Sequence, residues 1–178
     1  MLETPKKKIG NFTEALNYYD LALLRGANSH DILLNKANVL LQMGSIEEAK
    51  NFCEILIDKK TQDVKVLVTY GNILAEMSEY DESQNYLKLA IKSNPKNEEA
   101  WSSLGNLYFR MRKYEDALNA YSEAIKLNSD DYITHANIGY LTLQLGQYEI
   151  ANISFCKALL LNPLRLTPFC TAVFKSVS

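Results

Sequence analysis

Histidine and cysteine are scarce in this 178-residue chain: His30 and His135, and Cys53, Cys156 and Cys170, are all there are. The cysteine count is odd, the spacings are wide and no CxxC pair occurs. Reduced thiols in an intracellular compartment are expected, not a disulfide framework. Glycine-rich phosphate loops and metal-ligand spacings are missing too, so no cofactor, no metal and no catalytic constellation are expected. An excess of basic charge is lacking: 19 Lys and Arg stand against 21 Asp and Glu, Lys6, Lys7 and Lys8 form the only basic run, and net charge is −2. Phosphate binding needs a basic face, so nucleic acid is not expected as a partner. No run of about 18 apolar residues exists, so no membrane span is expected. The opening "MLETPKKKIG" has no apolar core of the kind a secretory signal carries. The sequons at Asn11 and Asn152 therefore read as chance, and a cytoplasmic location is expected. What is present, 47% apolar and 22% charged residues, suits a soluble globular protein.

Gly105 stands inside a helical pattern, where glycine costs about 1 kcal/mol relative to alanine. Gly71 and Gly139 lie 34 residues on either side of it. Four further columns keep this period. The first is bulky: Phe12, Ile46, Tyr80, Tyr114 and Tyr148. The second is small: Ala15, Ala49, Ser83, Ala117 and Ala151. Tyr19, Cys53, Leu87, Tyr121 and Phe155 form a third, and Ala22, Leu56, Ala90, Ala124 and Ala158 a fourth. Within a unit, Trp101, Leu104, Tyr108 and Met111 fall at helix spacing, and so do Tyr114, Ala117, Leu118, Tyr121, Ala124 and Ile125. The spacing predicts two antiparallel helices per unit. Gly10, Gly44 and Gly146 recur at the turn between them, where a left-handed residue ends a helix. "NPKN" at 94–97, "NSDD" at 128–131 and "NPLR" at 162–165 join one unit's stop to the next unit's N-cap or early proline. Gly105 and Ala117 are expected to let the two backbones approach, with Tyr114, Trp101 and Tyr121 filling the flanking space.

At these columns the chain resembles the tetratricopeptide repeat (TPR) family, whose pattern is Trp-x2-Leu-Gly-x2-Tyr, then Ala-x3-Phe, Ala and a closing Pro. Residues 98–131 carry it as Trp101, Leu104, Gly105, Tyr108, Ala117, Tyr121 and Ala124. Residues 132–165 carry Ile138, Gly139, Ala151, Phe155, Ala158 and Pro163, and residues 64–97 carry Tyr70, Gly71, Ala90 and Pro95. Residues 30–63 diverge, with Lys36 in place of Leu, Leu56 in place of Ala and Thr61 in place of Pro. The expected fold is all-α, a right-handed solenoid of those four helical hairpins. A 1–10 arm and a half repeat at 11–29 would precede it, and a half repeat or capping helix at 166–178 would follow. That last segment is apolar on most faces (Leu166, Phe169, Ala172, Val173, Phe174, Val177), so it is a candidate for self-association or for continuation of a longer array.

The resemblance implies a non-catalytic scaffold or adaptor that binds a protein or peptide partner in a concave groove lined by first helices. The groove positions translate into two polar ladders. One is Asn38, Asn72, Asn106 and then Tyr140; the other is Asn35, Thr69, Ser103 and Asn137. An apolar strip of Leu34, Leu41, Val68, Phe109 and Leu143 runs beside them, with Arg110 next to Phe109. Asn carries a donor and an acceptor, so the ladders suit an extended peptide backbone. The family's carboxylate clamp for chaperone tails is not expected. Its cationic positions fall on Leu34, Glu99 and Ser103, or one repeat on at Val68, Ile133 and Asn137. The asparagines are similar to the repeat region of the O-linked N-acetylglucosamine transferases, although Thr69 and Ser103 interrupt the matching column. Two further readings follow. The chain is a structural spacer that uses its ends and convex face, or it is a region that recruits substrates to an enzyme such as those transferases. His135 in the Trp column and Cys53 in a core column read as packing residues.

Overall fold

The structure is a computed structural model that describes residues 5–26, 29–58 and 63–162. Among them are nine helices and no strand. The chain divides into two compact units, Met1–Asn94 and Pro95–Ser178. The first unit holds α1 (Pro5–Leu24), α2 (Ser29–Met43), α3 (Ile46–Asp58), α4 (Val64–Glu76) and α5 (Tyr80–Ser93). The second holds α6 (Glu98–Arg110), α7 (Tyr114–Leu127), α8 (Tyr132–Gln144) and α9 (Tyr148–Leu161). The pairs α2–α3, α4–α5, α6–α7 and α8–α9 pack as hairpins, and α1 packs on α2.

Each first helix from α4 onward begins where a side chain takes up its orphan N–H groups. Asp63 accepts from Lys65 N at 2.9 Å, Asn97 from Ala100 N at 2.7 Å, and Asp131 from Ile133 N at 3.0 Å and Thr134 N at 3.3 Å. Every hairpin turn contains one left-handed residue at the same column: Gly44, Ser78, Arg112 and Gly146, with φ of 81°, 65°, 59° and 72°. Gly10 belongs to that column in sequence but not in structure. α1 starts at Pro5, a residue suited to a helix's first turn, and runs through Gly10 without a break. Gly10 is a helix-interior residue, and the supposed arm contributes helix from residue 5 onward. A side chain at positive φ is strained by about 1–2 kcal/mol. Arg112→Gly is therefore expected to stabilise the protein by up to about 1 kcal/mol, after glycine's own entropic cost. Thermal melting of the variant beside wild type checks this.

The side chain nearest each of the helix-interior glycines Gly71, Gly105 and Gly139 belongs to the residue 16 positions later, and at Gly71 the small column 12 positions later also comes close, with Ser83 Oγ donating to the Gly71 carbonyl at 2.7 Å. A Cβ on Gly105 would lie 2.5 Å from Cδ1 of Tyr121; one on Gly71, 2.7 Å from Cγ of Leu87; one on Gly139, 2.7 Å from Cε1 of Phe155. Ala117 is fully buried, and the Tyr121 ring fills the space beside Gly105. The reason is reach: a ring or isobutyl group laid flat on the facing helix fills the seam that the missing side chain opens. In the first hairpin the same two columns hold Ala37 and Cys53, both 0% exposed in one cluster with Leu40, Tyr70 and Ile73. Glycine faces the large partners, alanine the small one.

Candidate functional site

In the first unit, the first-helix face is carried by α2 and α4. Thr69 Oγ1 donates to Asn38 Oδ1 at 3.1 Å, 31 residues away in sequence. Asn35 is exposed, and Asn72 and Leu41 are half-buried, Leu41 against the core. Val68 and Leu34 do not line this face. They are 1% and 4% exposed, and Leu34 packs with Leu56 and Val66. Helix spacing put them in the groove strip, but their side chains are buried between the helices. Lys36, the departure from the family's Leu, keeps its side chain 11% exposed. Its ammonium lies 2.5 Å from Asp20 Oδ1 and 4.6 Å from the centre of the Phe52 ring. The aliphatic stem packs as Leu would, while the charge is met by a carboxylate and an aromatic face.

In the second unit, the face is carried by α6 and α8. Asn106 Oδ1 accepts twice, from Tyr121 Oη at 2.7 Å and from Asn137 Nδ2 at 2.8 Å. Tyr121 is 1% exposed, and burial pushes its phenol well above the ordinary tyrosine value, so it stays a donor. Ser102 and Thr134 share a buried 2.7 Å hydrogen bond, and Thr134 Oγ1 also donates to Asp131. The two polar ladders are thus bonded to one another within each unit. Asn106 Oδ1 thus uses both its lone pairs, one within its own hairpin and one toward the next repeat, and Asn38 Oδ1 uses one of its two on the neighbouring repeat. Their Nδ2 groups make no hydrogen bond among the described residues. Asn137 is half-buried and Arg110 exposed. Phe109 tilts on Tyr114 with ring centres 5.9 Å apart, Tyr140 meets Phe155 edge-on at 5.2 Å, and Leu143 is half-buried.

Beside Asn106 lies a cleft of about 360 Å3 lined by Glu98, Glu99, Ser102, Ser103, Asn106, Asn128, Asp131 and Ile133. Its carboxylates read in sequence only as helix-start charges favouring the dipole. Nothing in a 34-residue column reveals that the α7–α8 turn brings Asp131 to the same hollow as Glu98. His135 does hold the Trp place, and the means are visible. Trp101 Nε1 donates to the Pro95 carbonyl at 3.0 Å, and His135 Nε2 donates to the Ser129 carbonyl at 2.9 Å, six residues back in both cases. Cys53 is buried, and burial, with Glu54 nearby, pushes its thiol up to about 12, so it is an inert core group. Among the described residues no helix is long and apolar enough to cross a membrane, and no three His, Cys, Asp or Glu residues cluster for a metal. The segment 166–178, with Phe169, lies outside the described residues, as do Thr61 and Pro163.

Antiparallel hairpins in a fixed 34-residue period define an all-α helical-repeat protein of the solenoid class. The chain belongs to the tetratricopeptide repeat family: one form of the repeat matches residues 98–131, and a second matches 30–57, 64–97 and 133–163. Repeats of this family are protein-interaction scaffolds and are generally non-catalytic. No curated protein matches the sequence significantly. Among solved structures the chain is similar to TTC0263, a thermophilic TPR protein of Thermus thermophilus. The identity is 18%, the TM-score 0.84, and the match covers 96% of this chain and 93% of that one. MamA is 20% identical with a TM-score of 0.65, over 94% of this chain and 99% of MamA. A chain of the APC/C hetero-tetramer Cut9–Hcn1 is 19% identical with a TM-score of 0.77, over 96% of this chain but 33% of that one. At these identities the likeness is one of fold.

Proposed function

We propose that the chain is an adaptor that holds an extended segment of a protein partner against its first helices, in a reducing intracellular setting. The observation that carries this reading is the asparagine geometry. Asn106 has its oxygen fixed by Tyr121 and Asn137, and Asn38 has its oxygen fixed by Thr69, so each presents an oriented Nδ2 donor. Donors held in place cost little entropy on binding, and backbone carbonyls of a peptide are the acceptors they suit. Leu41, Phe109 and Leu143 supply half-buried apolar surface beside them. The carboxylates of Glu98, Glu99 and Asp131 along the cleft repel phosphate, which favours a peptide over nucleic acid.

The test exchanges donor for acceptor without disturbing the fold. Asn38→Asp with Asn106→Asp keeps the oxygens that Thr69, Tyr121 and Asn137 need and removes the Nδ2 donors. Partners purified from native lysate on wild type should be retained on the variant at least roughly tenfold less well, the penalty for a hydrogen bond turned into a repulsion. The same partners in the same amounts on both proteins, with matching circular dichroism, would sink the proposal.

A further inference from the structure

The outer face of α9 is apolar at three columns where the other second helices are polar. Glu48, Glu82 and Asp116 are followed in their column by Ile150; Asn51, Asn85 and Asn119 by Ile153; Lys92 and Lys126 by Leu160. All the polar members are exposed. So are the apolar ones, at 50%, 68% and 84% for Ile150, Ile153 and Leu160.

Position at the end of the described hairpins does not explain this exposure. α8 packs against α7, yet Asp116, Asn119 and Lys126 remain exposed; α4 packs against α3, yet Glu48 and Asn51 remain exposed. These columns therefore lie outside the surface that a following helix covers. A further helix continuing the repeat after α9 would leave Ile150, Ile153 and Leu160 bare.

The three residues lie on one stripe with Lys157, at helix spacings of three and four. A single exposed Ile needs no explanation, but three replacing polar residues along one stripe mark an interaction surface. The charges beside it are self-complementary. Glu149 stands four residues before Ile153 and Lys157 four after it. Both are exposed, and neither is ion-paired among the described residues. A second copy laid antiparallel about Ile153 brings each Glu149 level with the other copy's Lys157, whereas a parallel alignment would set like charges level. An isologous two-fold pairing requires this kind of self-complementary patch. We infer that the outer face of α9 is a self-association surface, occupied by α9 of a second copy of this chain in an antiparallel pair centred on Ile153. It is separate from the first-helix face proposed to bind a peptide.

Sedimentation velocity on the full chain tests this. Wild type should show a concentration-dependent dimer. Ile153→Asp should weaken dimerisation by roughly a hundredfold or more, as for a central apolar anchor, with unchanged circular dichroism because the site is exposed. Glu149→Lys alone should weaken it by roughly tenfold or more through like-charge repulsion with Lys157, and adding Lys157→Glu should restore it. A wild type that stays monomeric at every concentration overturns the inference. So does an Ile153→Asp protein that dimerises like wild type, or a charge reversal that the second reversal fails to rescue.

Discussion

Gly105→Ala should destabilise the protein by about 1–2 kcal/mol, although alanine is the better helix former. The propensity gain is about 1 kcal/mol. Against it stands a Cβ placed 2.5 Å from one carbon of the Tyr121 ring and 2.6 Å from the next. A ring on a free surface would swing aside. This one is 1% exposed, sits in a cluster with Ala117 and Leu141, and is held at its far end by the 2.7 Å bond to Asn106. Moving the ring costs packing and pulls the hydroxyl from its acceptor, so overpacking of about 1–3 kcal/mol is expected. Gly105→Leu should reach or pass the top of that range, about 3 kcal/mol. The Ala37 and Cys53 pair supplies the control. In a Tyr121→Cys background, Gly105→Ala should turn neutral or stabilising, because the second hairpin helix then carries the small partner that alanine meets in the first hairpin. Urea denaturation of the four proteins in the cycle gives the coupling, expected near about 1–3 kcal/mol. Additive effects would show that the ring and the glycine are not matched.

The repeat architecture was legible because its signals are local and periodic. The glycine, alanine and aromatic columns each report one position on one helix, and a 34-residue step aligns them. Contacts that break that step were not legible. The Asn38–Thr69 and Asn106–Asn137 bonds span 31 residues and join two columns that each look like an independent ladder. The Tyr121 hydroxyl crosses the hairpin to reach Asn106, while Leu87 at the same column has no hydroxyl to send. Val68 was misplaced because apolar character at a groove column and apolar character at a core column look alike in sequence, and only its 1% exposure separates them. Gly10 was misread because a column shared with Gly44 and Gly146 carries no information on whether a helix ends there. The α9 stripe was open to view in the sequence as Ile150, Ile153 and Leu160. Its meaning depends on knowing that the matching residues of α3, α5 and α7 face solvent.

Leu56→Ala brings the sequence closer to the family pattern, and it should nonetheless cost about 2–5 kcal/mol, the range for emptying a buried leucine site. Alanine is the resident at this column in the other three hairpins, as Ala90, Ala124 and Ala158, each 0–1% exposed. Leu56 is equally buried at 0%, so its extra atoms occupy real space. That space is shared with Leu34 and Val66, and Leu33 and Ile57 close over it. In the last hairpin the columns of Leu34 and Leu56 hold Ala136 and Ala158, which pack in one cluster beneath Tyr132 and Leu159. Two leucines in one hairpin and two alanines in the other are alternative fillings of one seam, each matched to its own neighbours. Cutting one leucine back leaves Leu34 facing a void that alanine at the family position does not fill. Leu56→Met keeps the volume and should cost less than about 1.5 kcal/mol. Calorimetric melting of both variants decides between seam filling and family preference. A Leu56→Ala protein as stable as wild type would mean that α2 and α3 close up around the smaller residue, and that the family residue, not the local pair, sets the packing of this hairpin.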